Sequence, residues 1–358
     1  MNAETPTPPP ATPPPTPATA ADPAPPPRPL VSLLLIAYRQ ADTVGAAVAG
    51  ALAQTYSPLE ILISDDASDG AAAGATWAAI QAAVAGYNGP HRIVTKRNPA
   101  NLGIGAHLSQ LVALSHGDLL LVAAGDDVSL PQRAAHTVAA WLAHGRRPDL
   151  IASALIDIDA QGGTHGVLRP ANLADWRSAA DWAARPPHVI GAGQAWTRRL
   201  FDRFGPLPAG TVAEDLVMVF RAIVSGGAIT LDEPLVQYRR GGLSRRRRAL
   251  HASQVSDRLA RNARHSLVEL PCLLRDAALA NVSAVVAPTL RRQLAREQHV
   301  AAQLAPGPLT ARLRRLWHDD GVPAALRLRV FVYAAWPALL APGFALKRAL
   351  LRWRGARR

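Results

Sequence analysis

A single cysteine, Cys272, stands in the 358 residues, which excludes an intramolecular disulfide framework and any thiolate-only metal cluster. It fits a reducing compartment, and the chain reads as cytoplasmic. The N-terminus lacks both a basic segment and a continuous apolar core, so it is not a secretory leader. Acidic residues are scarce toward the other end. Residues 239–358 hold 24 basic and 6 acidic side chains, whereas residues 1–238 hold 15 and 20. A net charge of +13 therefore hides two regions of opposite sign with different work to do. Hydrophobic residues make up 49% of the chain, enough for a large core, which excludes wholesale disorder.

Residues 1–29 carry 13 prolines among Ala and Thr and read as a disordered, partly polyproline-II arm. The texture changes at Val31. Val31 to Ala37 is a short apolar run and reads as a buried strand, followed by a helix over Thr43 to Gln54 with Asp42 as its cap. Leu59 to Ser64 is a second strand, Ala71 to Ala85 a helix and His91 to Thr95 a third strand. Gly105 to Ser115 is helical, and Asp118 to Ala123 is another buried strand. Such alternation specifies an α/β fold, an open and mostly parallel sheet flanked by helices. Ligands of these sheets bind beyond the carboxyl ends of the strands. Two acidic pairs lie there, Asp65-Asp66 and Asp126-Asp127.

Adjacent carboxylates repel, and burying both unpaired costs several kcal/mol, so cations or hydrogen-bond donors belong among them. Carboxylate oxygens suit Mg²⁺ or Mn²⁺, which keep waters and take further ligands from phosphates. Gly125 allows the close backbone path such a site needs. Asp pairs also serve as turns and helix caps, and a single pair carries little weight.

The ordered segments VSLLLIAYRQADTV, ALAQTYSPLEILISDDASDG and NPANLGIGAHLSQLVALSHGDLLLVAAGDDVSLPQR resemble the nucleotide-binding half of the family 2 glycosyltransferases. The similarity resumes at Gly191 to Gly205, at AEDLVMVFRA over 213–222 and at QYRRGGLSR over 237–245, spanning roughly 60% of the chain. The resemblance implies a GT-A fold and an inverting transfer from a nucleotide-sugar donor. It implies that Ala37 and Tyr38 wall the base pocket, that Asp66 accepts a hydrogen bond from the base, and that Asp65 steadies the loop. Asp126 would hold the ribose or a metal-bound water, and Asp127 the divalent metal. Asp215 would be the general base, oriented by Glu214. A helix start keeps such a carboxylate ionised, although acids are favourable there without catalysis.

Many relatives carry a histidine after the Tyr-Arg of the last core strand. Here the run is Tyr238-Arg239-Arg240-Gly241-Gly242, which leaves Arg239 or Arg240 to hold the pyrophosphate. Lys96 and Arg97 read as a solvated pair. Arg245 to Arg248 lacks the aromatic platform of a nucleic-acid site, so no nucleic acid is expected.

Three regions follow: the arm at 1–29, a glycosyltransferase domain at 30–245, and a basic helical extension at 246–358. Within the last, Val330 to Leu346 is seventeen residues without charge, broken by Pro337 and Pro342, with basic residues on both sides. Tyr333, Trp336 and Trp353 are types enriched at the lipid boundary. A contact of residues 327–353 with anionic membrane, at the inner face of the plasma membrane, is one reading and a buried helix pair the other. The chain as a whole reads as an inverting transferase acting on a cell-surface glycan or lipid-linked oligosaccharide. A non-catalytic nucleotide-sugar-binding protein is the alternative.

Overall fold

A computed structural model describes residues 28–70, 73–239, 251–319, 321–336, 339 and 342–345. The proline-rich arm up to residue 27, Arg240, Arg245 to Arg248 and Trp353 lie outside the described residues.

β1 (Val31–Ala37), β2 (Leu59–Asp65) and β4 (Leu119–Ala124) are almost wholly buried along their length. Their unbroken Leu, Ile and Val runs are what a parallel strand covered on both faces requires. With β3 (Arg92–Arg97) at the edge they pair in parallel, in the order β3-β2-β1-β4. The connecting helices are α1 (Val44–Leu52), α2 (Ala75–Val84) and α3 (Ile104–Leu114). The chain leaves β1 for β2 and β3 on one side and returns to β4 on the other. Strand order therefore reverses between β1 and β4, the switch point where a crevice opens.

Beyond β4 the sheet is mixed. β8 (Ala195–Thr197) runs antiparallel to both β4 and β6 (Leu150–Ile158), and β6 is parallel to β9 (Ala228–Arg239). The two-residue β5 (Val128–Ser129) lies antiparallel on β9, and β7 (Thr164–Leu168) forms a hairpin with β6. This half carries α4 (Arg133–Ala143), α5 (Ala179–Ala184), α6 (Arg198–Phe204) and α7 (Glu214–Ile223).

One sequence expectation is corrected. Thr43, not Asp42, precedes α1, and it makes no side-chain cap. Its hydroxyl instead donates to the Gly125 carbonyl at 2.8 Å, tying the start of α1 to the acidic turn. The helix also ends earlier than expected, because the Gln54 side chain leaves it to bond Leu130 O and Ala134 N.

The C-terminal region is helical: α8 (Ala252–Leu279), α9 (Ser283–Leu304), α10 (Leu309–His318) and α11 (Ala324–Ala335). Leu270, Leu273 and Leu290 belong to the same hydrophobic cluster as Trp196 and Phe220 of the sheet-bearing half. Among them, the fully buried Arg221 of α7 donates from Nε to Asp276 Oδ2 of α8 at 2.7 Å and from Nη1 to Gly205 O. Val330 and Phe331 of α11 are buried, so the start of the long apolar stretch is core. No helix among the described residues is long and apolar enough to cross a membrane.

Removing one partner of a buried ion pair strands the other. Asp276→Ala is expected to lower unfolding free energy by about 3–5 kcal/mol. Urea denaturation checks this, and a loss below about 1 kcal/mol would show that the pair contributes little to holding α7 on α8.

Candidate active site

Ala37 pairs with Asp65 across β1 and β2, and Ile36 with Ala124 across β1 and β4. The three strands end level, so Tyr38, Asp66 and the turn Gly125-Asp126-Asp127 leave the sheet at one edge. Gly125 is required there: a Cβ would stand 2.6 Å from Gln40 Oε1 and 2.9 Å from the Ala37 side chain.

Asp127 is 6% exposed. Its Oδ1 accepts the Arg239 backbone N–H at 2.8 Å. Burial first, and the neighbouring Asp126 second, push its carboxyl up to about 7. Burial likewise raises Asp126. Behind the turn, Arg133 of α4 is fully buried and donates to Ser129 Oγ, Val122 O and Gln194 O. Desolvation lowers its guanidinium to about 10. The Arg239 side chain binds the carbonyls of Asp126, Asp159 and Ala160. It braces the acidic turn from the β9 side.

These carboxylates suit a hard divalent ion. They are oxygen donors held at a charge excess that a cation would relieve. No group of three His, Cys, Asp or Glu able to hold a metal occurs among the described residues. The chain would thus supply one or two ligands and leave the rest to water and phosphate, as Mg²⁺ and Mn²⁺ prefer.

The first acidic pair is engaged within the protein. Asp65 Oδ1 accepts from the amide and hydroxyl of Ser68, which steadies the loop. Asp66 is buried, and its carboxylate accepts Asn98 Nδ2 at 2.8 Å, Leu102 N at 3.0 Å and Gly103 N at 2.9 Å. It pins the Asn98–Gly103 loop against β2. Ala37 is buried and takes the Asp66 amide on its carbonyl. Tyr38 is 37% exposed and donates its hydroxyl to Asp69 at 2.9 Å, while Arg39 Nε reaches the same oxygen. These two bonds, Arg39 foremost, hold Asp69 below the usual carboxylate range. Arg39 and Ala67 both have positive φ, +54° and +55°, where side chains other than glycine are strained.

Glu214 and Asp215 form the first turn of α7, half-buried. Burial, then the Asp215 charge, raises Glu214 to about 8. Burial raises Asp215 to about 6, with Glu269 adding to the rise and the Leu216 and Gly191 amides opposing it. Gly191 lies against the pair, since a Cβ there would stand 2.9 Å from Glu214 Oε1. The turn Gly191–Gly193 is joined to β4 by the bond from Val122 N to Gln194 O. This turn touches the α7 pair on one side and bonds β4 on the other. A separate depression of about 730 Å³, lined by Arg28, Asp118, Leu142 and Arg146, lies at the opposite, amino ends of β1 and β4.

Residues 32–160, about a third of the chain, match the family model described as glycosyl transferase family 2. The crystal structure of S. aureus TarS 1–349 in complex with UDP-GlcNAc superposes with a TM-score of 0.50 at 14% identity, covering 84% of this chain and 89% of that one. TarS 1–349 alone gives 0.49 at 12% identity, covering 84% and 88%. The mannosyltransferase PcManGT from Pyrobaculum calidifontis, in complex with GDP-Man and Mn²⁺, gives 0.48 at 17% identity, covering 88% and 87%. No curated protein matches the chain. The fold is the GT-A fold of the glycosyltransferases, an open curled sheet flanked by helices.

Sequence reasoning singles out Asp126, Asp127, Glu214 and Asp215 and passes over four residues that bond or act on the candidate residues. Gln40 and Asp69 stand within the quoted segments, and their position three to four residues past a strand end was the available signal. Arg133 and Glu269 carry no such signal: a lone Arg or Glu in a helix looks like a solvated charge.

A carboxyl raised on folding binds its proton more tightly in the native state. Its cost is absent below the unfolded value, builds as pH rises toward about 7 and is complete above it. Asp127→Asn keeps the acceptor for Arg239 and removes the charge. It is expected to stabilise the unliganded protein by on the order of 2 kcal/mol near pH 8, and by less than about half of that near pH 5. Thermal unfolding across that range tests it, and an equal effect at both ends would contradict the burial of a charged Asp127.

Proposed function

We propose that the chain is an inverting glycosyltransferase moving a sugar from a nucleoside-diphosphate donor to a hydroxyl of a cell-surface glycan or lipid-linked oligosaccharide. One observation supports this most: Asp126 and Asp127 leave β4 at the carboxyl edge of the sheet and offer metal-type oxygens, Asp127 from a buried position, within the segment that matches the glycosyl transferase family 2 model.

Asp215 is the general base. Above about pH 6 it is ionised and takes the acceptor O–H proton as that oxygen bonds the anomeric carbon. The bond from that carbon to the diphosphate breaks on the opposite face, its electrons leaving on the phosphate oxygen, so configuration inverts. Glu214, raised to about 8, is largely protonated at neutral pH and donates a hydrogen bond to orient acceptor or base. Tyr38, with Ala37 beneath it, forms a wall for the base. Asp66 fixes the loop that closes the pocket, and its bond to the base remains the role its family position implies. Mg²⁺ or Mn²⁺, held by Asp127 with Asp126, would neutralise charge on the departing diphosphate. Arg239 supplies positive charge beside the acidic turn.

A peripheral contact with anionic membrane at the cytoplasmic face completes the reading. Leu309, Leu313 and Trp317 recur every fourth residue on α10, and all three are exposed, Trp317 at 71%. Arg314 flanks that stripe, and Leu328 and Trp336 of α11 are also exposed. Such a face lies in the bilayer interface without spanning it. Cosedimentation of the full chain with phosphatidylglycerol vesicles is expected, with at least a threefold loss in Leu313→Ser/Trp317→Ser. Equal pelleting of the double variant would exclude α10 as the contact.

Calorimetry with UDP, dTDP and GDP, with and without Mn²⁺, tests the donor site. One nucleotide is expected to bind in a metal-dependent way, with binding lost in Asp127→Ala. Asp215→Asn should retain that binding while transfer falls by about 10² to 10⁴-fold. The wild-type rate should fall on the acid side as pH drops through about 6. Binding without turnover in wild type would favour the non-catalytic alternative.

A further inference from the structure

The helix that carries Asp215 has no cap of its own. Ala213, the residue before α7, offers no side-chain acceptor, and its backbone is not helical. The segment leading into the helix is held instead from the C-terminal region. Glu269 Oε1, in the middle of α8, accepts Val212 N at 3.1 Å and Ala213 N at 2.8 Å. Two amide donors at a helix entrance are thereby satisfied by a residue more than fifty positions away.

We propose that Glu269 is a positioning residue for Asp215: it fixes the segment leading into α7 through two amide bonds and sets a second carboxylate near the base. The inference rests on Asp215 being the base of the reaction above. A neutral glutamine would satisfy both amides equally well, because its carbonyl oxygen accepts two bonds. The carboxylate adds charge, and that charge acts on both acids of α7, raising Asp215 and Glu214 together. A base is most useful when its proton affinity is close to the working pH, and a second carboxylate beside a half-buried one supplies that affinity.

Asp215 and Glu269 act on Glu214, and Glu269 acts on Asp215, which the amides of Leu216 and Gly191 oppose. Several charged groups on the other elements packed against α7 are engaged elsewhere. Asp181 of α5 accepts from Ser178, Arg198 and Arg199 of α6 bind Gly117 O and Asp149, and Arg239 of β9 binds the acidic turn. Arg221 and Asp276, further along α7 and α8, pair with each other.

The test uses the full unliganded chain as wild type, Glu269→Gln, Asp215→Asn and the double variant, melted at about pH 5 and about pH 8. Glu269→Gln is expected to raise Tm at the higher pH and leave it nearly unchanged at the lower, where Asp215 is protonated. In the Asp215→Asn background the gain should fall to half or less. An equal drop in Tm at both pH values would make Glu269 a plain helix cap, and a gain untouched by Asp215→Asn would remove the coupling. Either result overturns the proposal. Release of nucleoside diphosphate from UDP-GlcNAc, GDP-mannose or dTDP-rhamnose, whichever is turned over, gives a second readout. Its acid limb should move down by about half a pH unit or more in Glu269→Gln, with donor KM unchanged. Wild-type-like transfer by Asp215→Asn would overturn the base assignment instead, and the melting cycle does not depend on that outcome.

Discussion

Negative charge concentrated at one edge of a buried sheet is the constraint around which this molecule is arranged. Asp127 and Asp126 leave the sheet at the switch point, where water is scarce and their own repulsion is strong. The turn stays in place because several distant segments hold it. Thr43 donates to the Gly125 carbonyl, the Arg239 backbone donates to Asp127, and its side chain clasps the next carbonyl. Arg133 ties the strand behind the turn to the segment leading into β8. A site that keeps carboxylates near neutral affinity is costly to the unliganded fold and well suited to a cation and a diphosphate.

The placement of α7 depends on the C-terminal helices. They share a hydrophobic cluster with the sheet-bearing half, and Arg221 and Asp276 lock α7 to α8 at its far end. At the near end Glu269 binds the two amides leading into α7. The helix bearing Asp215 is thus held at both ends by α8, outside the residues that match the family model. The extension is therefore more than an anchor: it fixes where α7 begins. In the reaction proposed above, that placement would orient Asp215 toward the acceptor.

Much of the fold was legible in the sequence. The apolar runs of β1, β2 and β4 have no reading other than buried parallel strands, and the acids after β2 and β4 follow from the rule that places ligands at strand ends. Gly125 was also legible, because only glycine fits a backbone that passes within contact of Gln40. The helix start at residues 42–44 was misread. A local rule assigned the cap to Asp42, while a tertiary bond drew Thr43 to a turn 82 residues away. The apolar stretch at 330–346 was ambiguous for a similar reason: Val330 and Phe331 enter the core, and hydrophobicity alone does not distinguish core from interface.

The sequence by itself determined the class of sheet, the side on which ligands enter and the residue types available to bind them. Those features come from period, turn chemistry and motif order, which are properties of neighbouring residues. Only the tertiary structure decided which charges meet. Arg133 becomes a buried support, Asp66 a loop staple and Glu269 a partner of Asp215 because residues far apart in the chain share one low-dielectric space. There, burial and neighbouring charge set proton affinity and hydrogen-bond partnership.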